Sequence, residues 1–244
     1  MRKFLFFFVC FFTFSELFAD FNDGKTSKFV QLDLTSTTYT GIERYNTLFS
    51  CEAGAVSHWW EGIAGIQAYD KVFDFTTSGQ TWFPFTNWEY DILRLALGFG
   101  ALYHYQKYSD ISSEHDFMLF STYRHQTDGG LTISFFGGYA WKITKVFALD
   151  DFGIYPYIFD NYPTAGMTID KIWSNGLEVC FEHSLHDLYR YPLFCAPHYA
   201  FSVAVNLDSG LRYCVEYSFR VPDGYAASPN VDCRLIKLSV RYKF

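Results

Sequence analysis

Charged residues on a single parity are the chemistry-bearing feature of this chain. Arg212, Glu216 and Arg220 lie four residues apart, and Lys237, Arg241 and Lys243 share one parity in the last eleven residues. In an extended chain, residues of one parity share one face. Glu178 and Glu182 have the same spacing in an earlier segment, Asp33 lies near the start, and Arg94 opens a long central segment. Such a face has two readings. The acids and bases neutralise each other as a salt-bridge network, as charges buried together normally do, or the excess of bases forms a stripe that attracts anions.

Residues of hydrolytic type are present but badly placed. His183-Ser184, with His186-Asp187 beyond, has the composition of a Ser-His-acid site. Neighbours in a strand point to opposite faces, so His183 and Ser184 cannot act together there, and no catalytic residue is assigned. Asp150-Asp151 reads as a solvated turn rather than a cation site. The cysteines show no paired C-x-x-C spacing, so neither a metal nor a cofactor is expected. The formal net charge of −7 gives no support for nucleic-acid binding.

These residues are carried by strands. In the last segment Ile236, Leu238, Val240, Tyr242 and Phe244 are apolar and alternate with Lys237, Ser239, Arg241 and Lys243. The same two-residue period runs through 28–39, more weakly through 48–58, and through 62–73, 115–124, 131–145, 176–184, 198–207 and 211–220. It is clearest from Leu93 to Tyr105, where a helical period fails. At near fourteen residues that segment is longer than the usual strand of about 5–6. It suits a tilted membrane-spanning strand of about 9–11 residues with an extension. Thr127-Asp128-Gly129-Gly130 and Asp208-Ser209-Gly210 read as tight turns. The segment 75–89 reads as a loop carrying Trp82, Phe83, Phe85 and Trp88 around Pro84. Those aromatics suit an interfacial belt, a fold-in toward the interior, or contact with another protein.

The N-terminus has basic Arg2 and Lys3, an apolar run from Phe4 to Phe14 broken by Thr13, and Ser15-Glu16-Leu17-Phe18-Ala19 before Asp20. This is the pattern of a secretory signal peptide over 1–19, leaving 20–244 as one domain. Five cysteines then remain, Cys51, Cys180, Cys195, Cys214 and Cys233, an odd number that leaves at least one without an intrachain disulfide. Aromatics make up 22% of the chain and charged residues 18%, against about 25% charged in a typical soluble domain. No segment beyond the leader reaches helical membrane-span length, so insertion has to be by strands closed into a barrel.

The exported leader, the alternating strands and the terminal strand ending in Phe244 together resemble the bacterial outer-membrane β-barrel superfamily. The aromatic-rich, motif-poor composition is similar to small spirochaete barrels of unknown function. The resemblance implies an all-β, transmembrane antiparallel up-and-down β-barrel in the cell outer membrane. It also implies two partners, membrane lipid and the barrel-assembly machinery that reads the Phe244 strand. Strand number must be even, ten or twelve, and the hard-to-read stretch 147–175, as either one connection or an extra hairpin, tips the choice to twelve.

In such a barrel the polar face is the lumen. Arg94, Glu178, Glu182, Arg212, Glu216, Arg220, Lys237, Arg241, Lys243 and Asp33 become lumen residues; the self-neutralising network is the preferred reading of them, and a small anionic solute is the passenger that the alternative, a basic stripe, implies. Inward Gly54, Gly98, Gly100, Gly138 and Ala140 favour an open interior, or mark bends and close approaches. The leading expectation is a narrow solute channel. The alternative is a non-conducting surface protein that binds a partner through loops 75–89, 185–197 and 221–231. A hydrolase is the weakest reading, because the motifs of outer-membrane phospholipases, lipid A deacylases and omptin proteases are absent. A soluble exported β-sandwich requires the greasy faces to pack on each other.

Overall fold

A computed structural model describes residues 27–39, 42–57, 60–69, 72–84, 93–108, 111–127, 129–185, 198–220 and 233–244. The leader expected over 1–19 lies outside them. Twelve strands follow one another: β1 (Ser27–Tyr39), β2 (Ile42–Val56), β3 (Trp60–Tyr69), β4 (Val72–Pro84), β5 (Leu93–Tyr108), β6 (Ser112–Thr127), β7 (Leu131–Val146), β8 (Tyr157–Ile172), β9 (Leu177–Ser184), β10 (His198–Asn206), β11 (Leu211–Arg220) and β12 (Cys233–Lys243). A single-turn helix, α1 (Phe147–Asp151), sits between β7 and β8. Each strand pairs antiparallel with its sequence neighbours, and β1 pairs with β12, closing the barrel. No helix among the described residues is long and apolar enough to cross a membrane.

The registers fix the size of the cylinder. From Asp33 the partners run through Ser50, Gln67, Asp74, Gln106, Glu114 and Thr144 to Ile158 on β8. In the other direction they run through Ser239, Cys214, Ala204 and Glu178 to Ile172, on the same strand. The two arrival points differ by fourteen residues, which is the shear of the barrel. Twelve strands with that shear tilt by about 40° and enclose a backbone cylinder of roughly 12 Å radius.

The faces separate as alternation requires. Leu32 and Leu34 on β1, Val203 and Val205 on β10, Val215 on β11, and Ile236, Leu238 and Val240 on β12 point outward and are exposed. Between them, Gln31, Asp33, Thr35, Cys214, Ser218 and Ser239 are buried on the inner side. An apolar exterior around a polar interior excludes the sandwich. It is the arrangement of a barrel immersed in lipid. Tyr242 stacks on Phe244 at the end carrying both termini, while Trp141 packs with Phe117 and Tyr139 toward the other end, as aromatic girdles would.

The tight turns dovetail with the strand ends. Gly210 has φ +84°, its N–H donates to the Leu207 carbonyl, and its own carbonyl accepts the N–H of Lys243 at the end of β12. A side chain there would be strained and would collide with the Lys243 carbonyl oxygen. Gly130 and Gly176 repeat the device against Ile172 and Asn206. Phe244 then exchanges both backbone hydrogen bonds with Lys28.

Several sequence expectations need correcting. The twelve strands are the right number, but the two hard to read are β4 and β8. Thr76-Thr77-Ser78-Gly79-Gln80 looked like a loop because it is polar. It is the middle of β4, where small polar residues are compatible with a strand paired on both sides, and the Thr77 hydroxyl donates to the Ile63 carbonyl. Trp82 and Phe83 therefore belong to a strand, while Phe85 and Trp88 lie outside the described residues. β4 ends and β5 begins at the end carrying Ser27 and Phe244, whereas β9 and β11 end at the other. Strand β2 also begins at Ile42, ahead of the 48–58 span that the alternation marks. The stretch 147–175 is neither a hairpin nor one connection but α1 plus the single strand β8. Pro163 is tolerated because β8 pairs with β9 only from Gly166 onward, leaving Pro163 on an edge.

The inward glycines are filled rather than open. A methyl group at Gly54 would sit 2.5 Å from the Phe29 ring, and one at Gly100 2.5 Å from the Phe120 ring; Gly166 is likewise covered by Phe136. Each glycine lets a neighbouring aromatic lie flat along the wall instead of crossing the lumen. Gly100→Val should lower unfolding stability by about 1–3 kcal/mol through overpacking. Gly137→Ala, with nothing within 4 Å of its Cβ, should be neutral. Urea unfolding of the refolded barrel followed by tryptophan fluorescence measures both.

Candidate functional site: the lumen walls

The closing seam brings several expected residues together. Asp33 on β1 accepts hydrogen bonds from Gln31 (2.8 Å) and Ser50 (3.1 Å), and its Oδ2 lies 3.3 Å from Lys237 Nζ on β12. Gln31 in turn accepts from Arg241 Nε at 2.7 Å, and the Arg241 guanidinium lies 4.3 Å from the centre of the Phe29 ring that covers Gly54. Polar contacts thus tie the first strand to the last along the lumen side.

A second cluster spans β9 to β11. Arg212 grips Glu178 with two parallel bonds, Nε to Oε2 at 3.0 Å and Nη2 to Oε1 at 2.5 Å, while Asn206 from the intervening strand donates to Oε2 at 2.9 Å. Both charged side chains are largely buried. This fork geometry favours arginine. Glu182 and Glu216 face the lumen above it. Lys243 is exposed at the rim. Arg94 and Arg220 lie on β5 and β11, but their side chains are outside the described part.

Other lumen groups escaped sequence reading. On the β5–β7 wall, His104 Nδ1 lies 2.9 Å from Asp116 Oδ2, and Lys142 Nζ lies 2.9 Å from Glu114 Oε1, which Thr144 also approaches through Oε2 at 3.3 Å. His104, Glu114 and Asp116 are fully buried or nearly so. Gln80 donates to Glu61 and accepts from Thr122 at 3.3 Å. The available signal was the even parity of Glu114, Asp116, Arg124 and Lys142. Around residues 117–120 both faces are apolar, and this masked it.

That apolar stretch divides the lumen into unlike halves. Leu102, Met118 and Ala140 form a buried inner cluster with Phe120 and Tyr162 packed against it. The register and tilt put Leu102, Phe120 and Phe136 at one height on the β5–β7 wall. Asp33, Glu52, Glu182 and Glu216 occupy the same height on the opposite wall, within roughly 3 Å of one another along the axis. Ten carboxylates lie on the inward parity among the described side chains: Asp33, Glu52, Glu61, Glu114, Asp116, Asp170, Glu178, Glu182, Glu216 and, on the outer half of β8 beyond its pairing with β9, Asp160. The inward lysines and arginines are fewer: Arg124, Lys142, Arg212, Lys237, Arg241 and, at the rim, Lys243.

His183 points outward, its ring stacked at 4.6 Å on Tyr199, whereas Ser184 is buried on the inner side. The described residues contain no group of three or more metal-ligating side chains. Cys51, Cys180 and Cys214 are free thiols.

An apolar exterior, a closed antiparallel ladder and a charged interior define the class of transmembrane β-barrels. Comparison with solved structures agrees. The NanC porin superposes with a TM-score of 0.59 at 14% identity, covering 87% of this chain and all of that one. The KdgM porin in complex with disordered oligogalacturonate gives 0.51 at 9% identity, covering 88% of this chain and 99% of that one. Outer membrane phospholipase A from Escherichia coli gives 0.50 at 9% identity, covering 90% of each. These likenesses establish a closed β-barrel fold and no more. No protein-family model and no curated protein sequence matches the chain.

The Glu178–Arg212 pair is open to direct measurement. A double-mutant cycle with Glu178→Gln and Arg212→Gln in urea unfolding should give a coupling of about 1–3 kcal/mol, as for contacting residues in one network. Coupling near zero would mean that water screens the pair.

Proposed function

We propose that this protein is a narrow solute channel of the bacterial outer membrane. The observation that carries the reading is a closed twelve-strand cylinder with charged side chains on both lumen walls and aromatic rings laid flat over inward glycines. Partly accessible Glu52, Glu61, Glu182, Arg212 and Glu216 inside the cylinder indicate that water reaches them. The porin neighbours add support at the level of fold. Placement in the outer membrane rests on the apolar belt, on the exported leader expected over 1–19, and on delivery of the Phe244 strand to the assembly machinery.

The sign of the solute is a separate matter. A small anion was the expectation from Arg212, Arg220, Lys237, Arg241 and Lys243, but Arg212 is held by Glu178 and Lys237 by Asp33.

A second reading has one observation in its favour. Strands β5 to β8 are sixteen residues long, whereas β9 and β10 have eight and nine, so one wall stands above the rest at the end away from the termini. Its tip exposes Phe152, Ile154, Tyr155, Ile158 and Phe159. That tip suits a surface protein that binds a partner.

Planar-bilayer recording of purified, refolded protein separates the two. The channel reading expects discrete conductance steps in potassium chloride solution. A folded, heat-modifiable barrel that never conducts would rule the channel out and leave the surface reading.

A further inference from the structure

One row of side chains across the closing seam points to the class of solute. We propose that the lumen holds a site for zwitterions of the α-amino acid type, with Arg241 taking the carboxylate and Glu52 the ammonium group. This names the solute class of the proposed channel and rests on that reading.

The register supplies the geometry. Arg241 on β12 lies directly opposite Gln31 on β1, which lies directly opposite Glu52 on β2, and all three face the lumen. Two inter-strand steps separate Arg241 from Glu52, roughly 10 Å between Cα atoms. An α-amino acid places its nitrogen about 2.5 Å from its carboxyl carbon. With a hydrogen bond of about 2.8 Å at either end it spans about 8 Å, short enough to lie across the row.

Each charge is held in place yet lacks a counter-ion. Arg241 donates through Nε to Gln31 at 2.7 Å, and its guanidinium lies 4.3 Å from the centre of the Phe29 ring. These contacts fix the guanidinium, while among the described residues no acceptor takes the N–H groups of its Nη atoms. Arg212, its neighbour on β11, grips Glu178, so that acid is already taken. Glu52 lies over Gly65, where a methyl group would come 3.0 Å from its Cγ. Its carboxylate makes no hydrogen bond or ion pair, although its charge and that of Arg241 are within electrostatic reach. Gln31, only 4% exposed, stands between them with its amide engaged by Arg241 and Asp33.

The arrangement selects by chemistry. A simple anion satisfies Arg241 but is repelled by Glu52, and a simple cation meets the reverse. A zwitterion satisfies both through charge-assisted hydrogen bonds, which are about twice as strong as neutral ones. Both side chains are partly exposed, so a solute reaches them without displacing a native ion pair.

The test uses the full-length refolded protein in planar bilayers with three probes added to the potassium chloride solution. These are alanine, propionate, which lacks the ammonium group, and ethylammonium, which lacks the carboxylate. Alanine should reduce the current at a concentration roughly tenfold below that needed for either single-charge probe. Arg241→Gln should weaken block by alanine and propionate and spare ethylammonium. Glu52→Gln should weaken block by alanine and ethylammonium and spare propionate. Heat-modifiable migration confirms that both variants fold. Equal block by the three probes overturns the proposal while leaving the channel reading intact. Variants that weaken all three alike, or none, overturn the assignment to Arg241 and Glu52. A folded protein with no conductance overturns the channel reading and this proposal together.

Discussion

The pairing of β1 with β12 is the contact on which everything else in this molecule depends. In hydrocarbon each unsatisfied backbone group costs several kcal/mol, so a twelve-strand sheet with two free edges cannot remain in a membrane. The ladder from Phe29 and Lys243 to Tyr39 and Cys233 removes both edges. Lumen contacts through Lys237, Asp33, Gln31 and Arg241 run along the same seam, and the Phe244–Lys28 exchange extends the pairing at its lower end. Closure also sets the fourteen-residue shear, and with it the tilt that decides which side chains share a height.

The interior follows from that geometry. A cylinder of this radius has room for side chains on all sides only if some lie flat. Phe29 over Gly54, Phe120 over Gly100 and Phe136 over Gly166 achieve this by placing a ring where the neighbouring strand has no Cβ. Glycine here shapes the wall rather than widening the bore. Phe120 and Phe136 join Leu102 on the β5–β7 wall, so at that height the inner face is aromatic on one side and acidic on the other.

Fold and selectivity therefore separate. Structures that share the barrel at about a tenth sequence identity share its backbone, while the lumen side chains belong to each chain alone. One such structure was solved in complex with disordered oligogalacturonate. The present lumen holds the ion pairs Lys237–Asp33, Arg212–Glu178 and Lys142–Glu114, set by this chain's own residues, so the shared cylinder is no guide to what enters it.

The sequence by itself determined the all-β class, the even strand number, the membrane-facing parity of the last strands and the lumen positions of Asp33, Glu178, Arg212 and Lys237. It could do so because a half-buried strand writes its two environments with a period of two, and that pattern is local. β4 was missed because small polar residues pair as well as apolar ones once neighbours exist, and β8 because its outer half has only one neighbour and tolerates Pro163. Tertiary structure alone decided that Glu178 meets Arg212 two strands away, that glycines seat rings, and that His104 meets Asp116 inside an apolar wall. Those outcomes depend on register around a closed cylinder, where a shift of one residue exchanges lumen for lipid, and no local pattern records it.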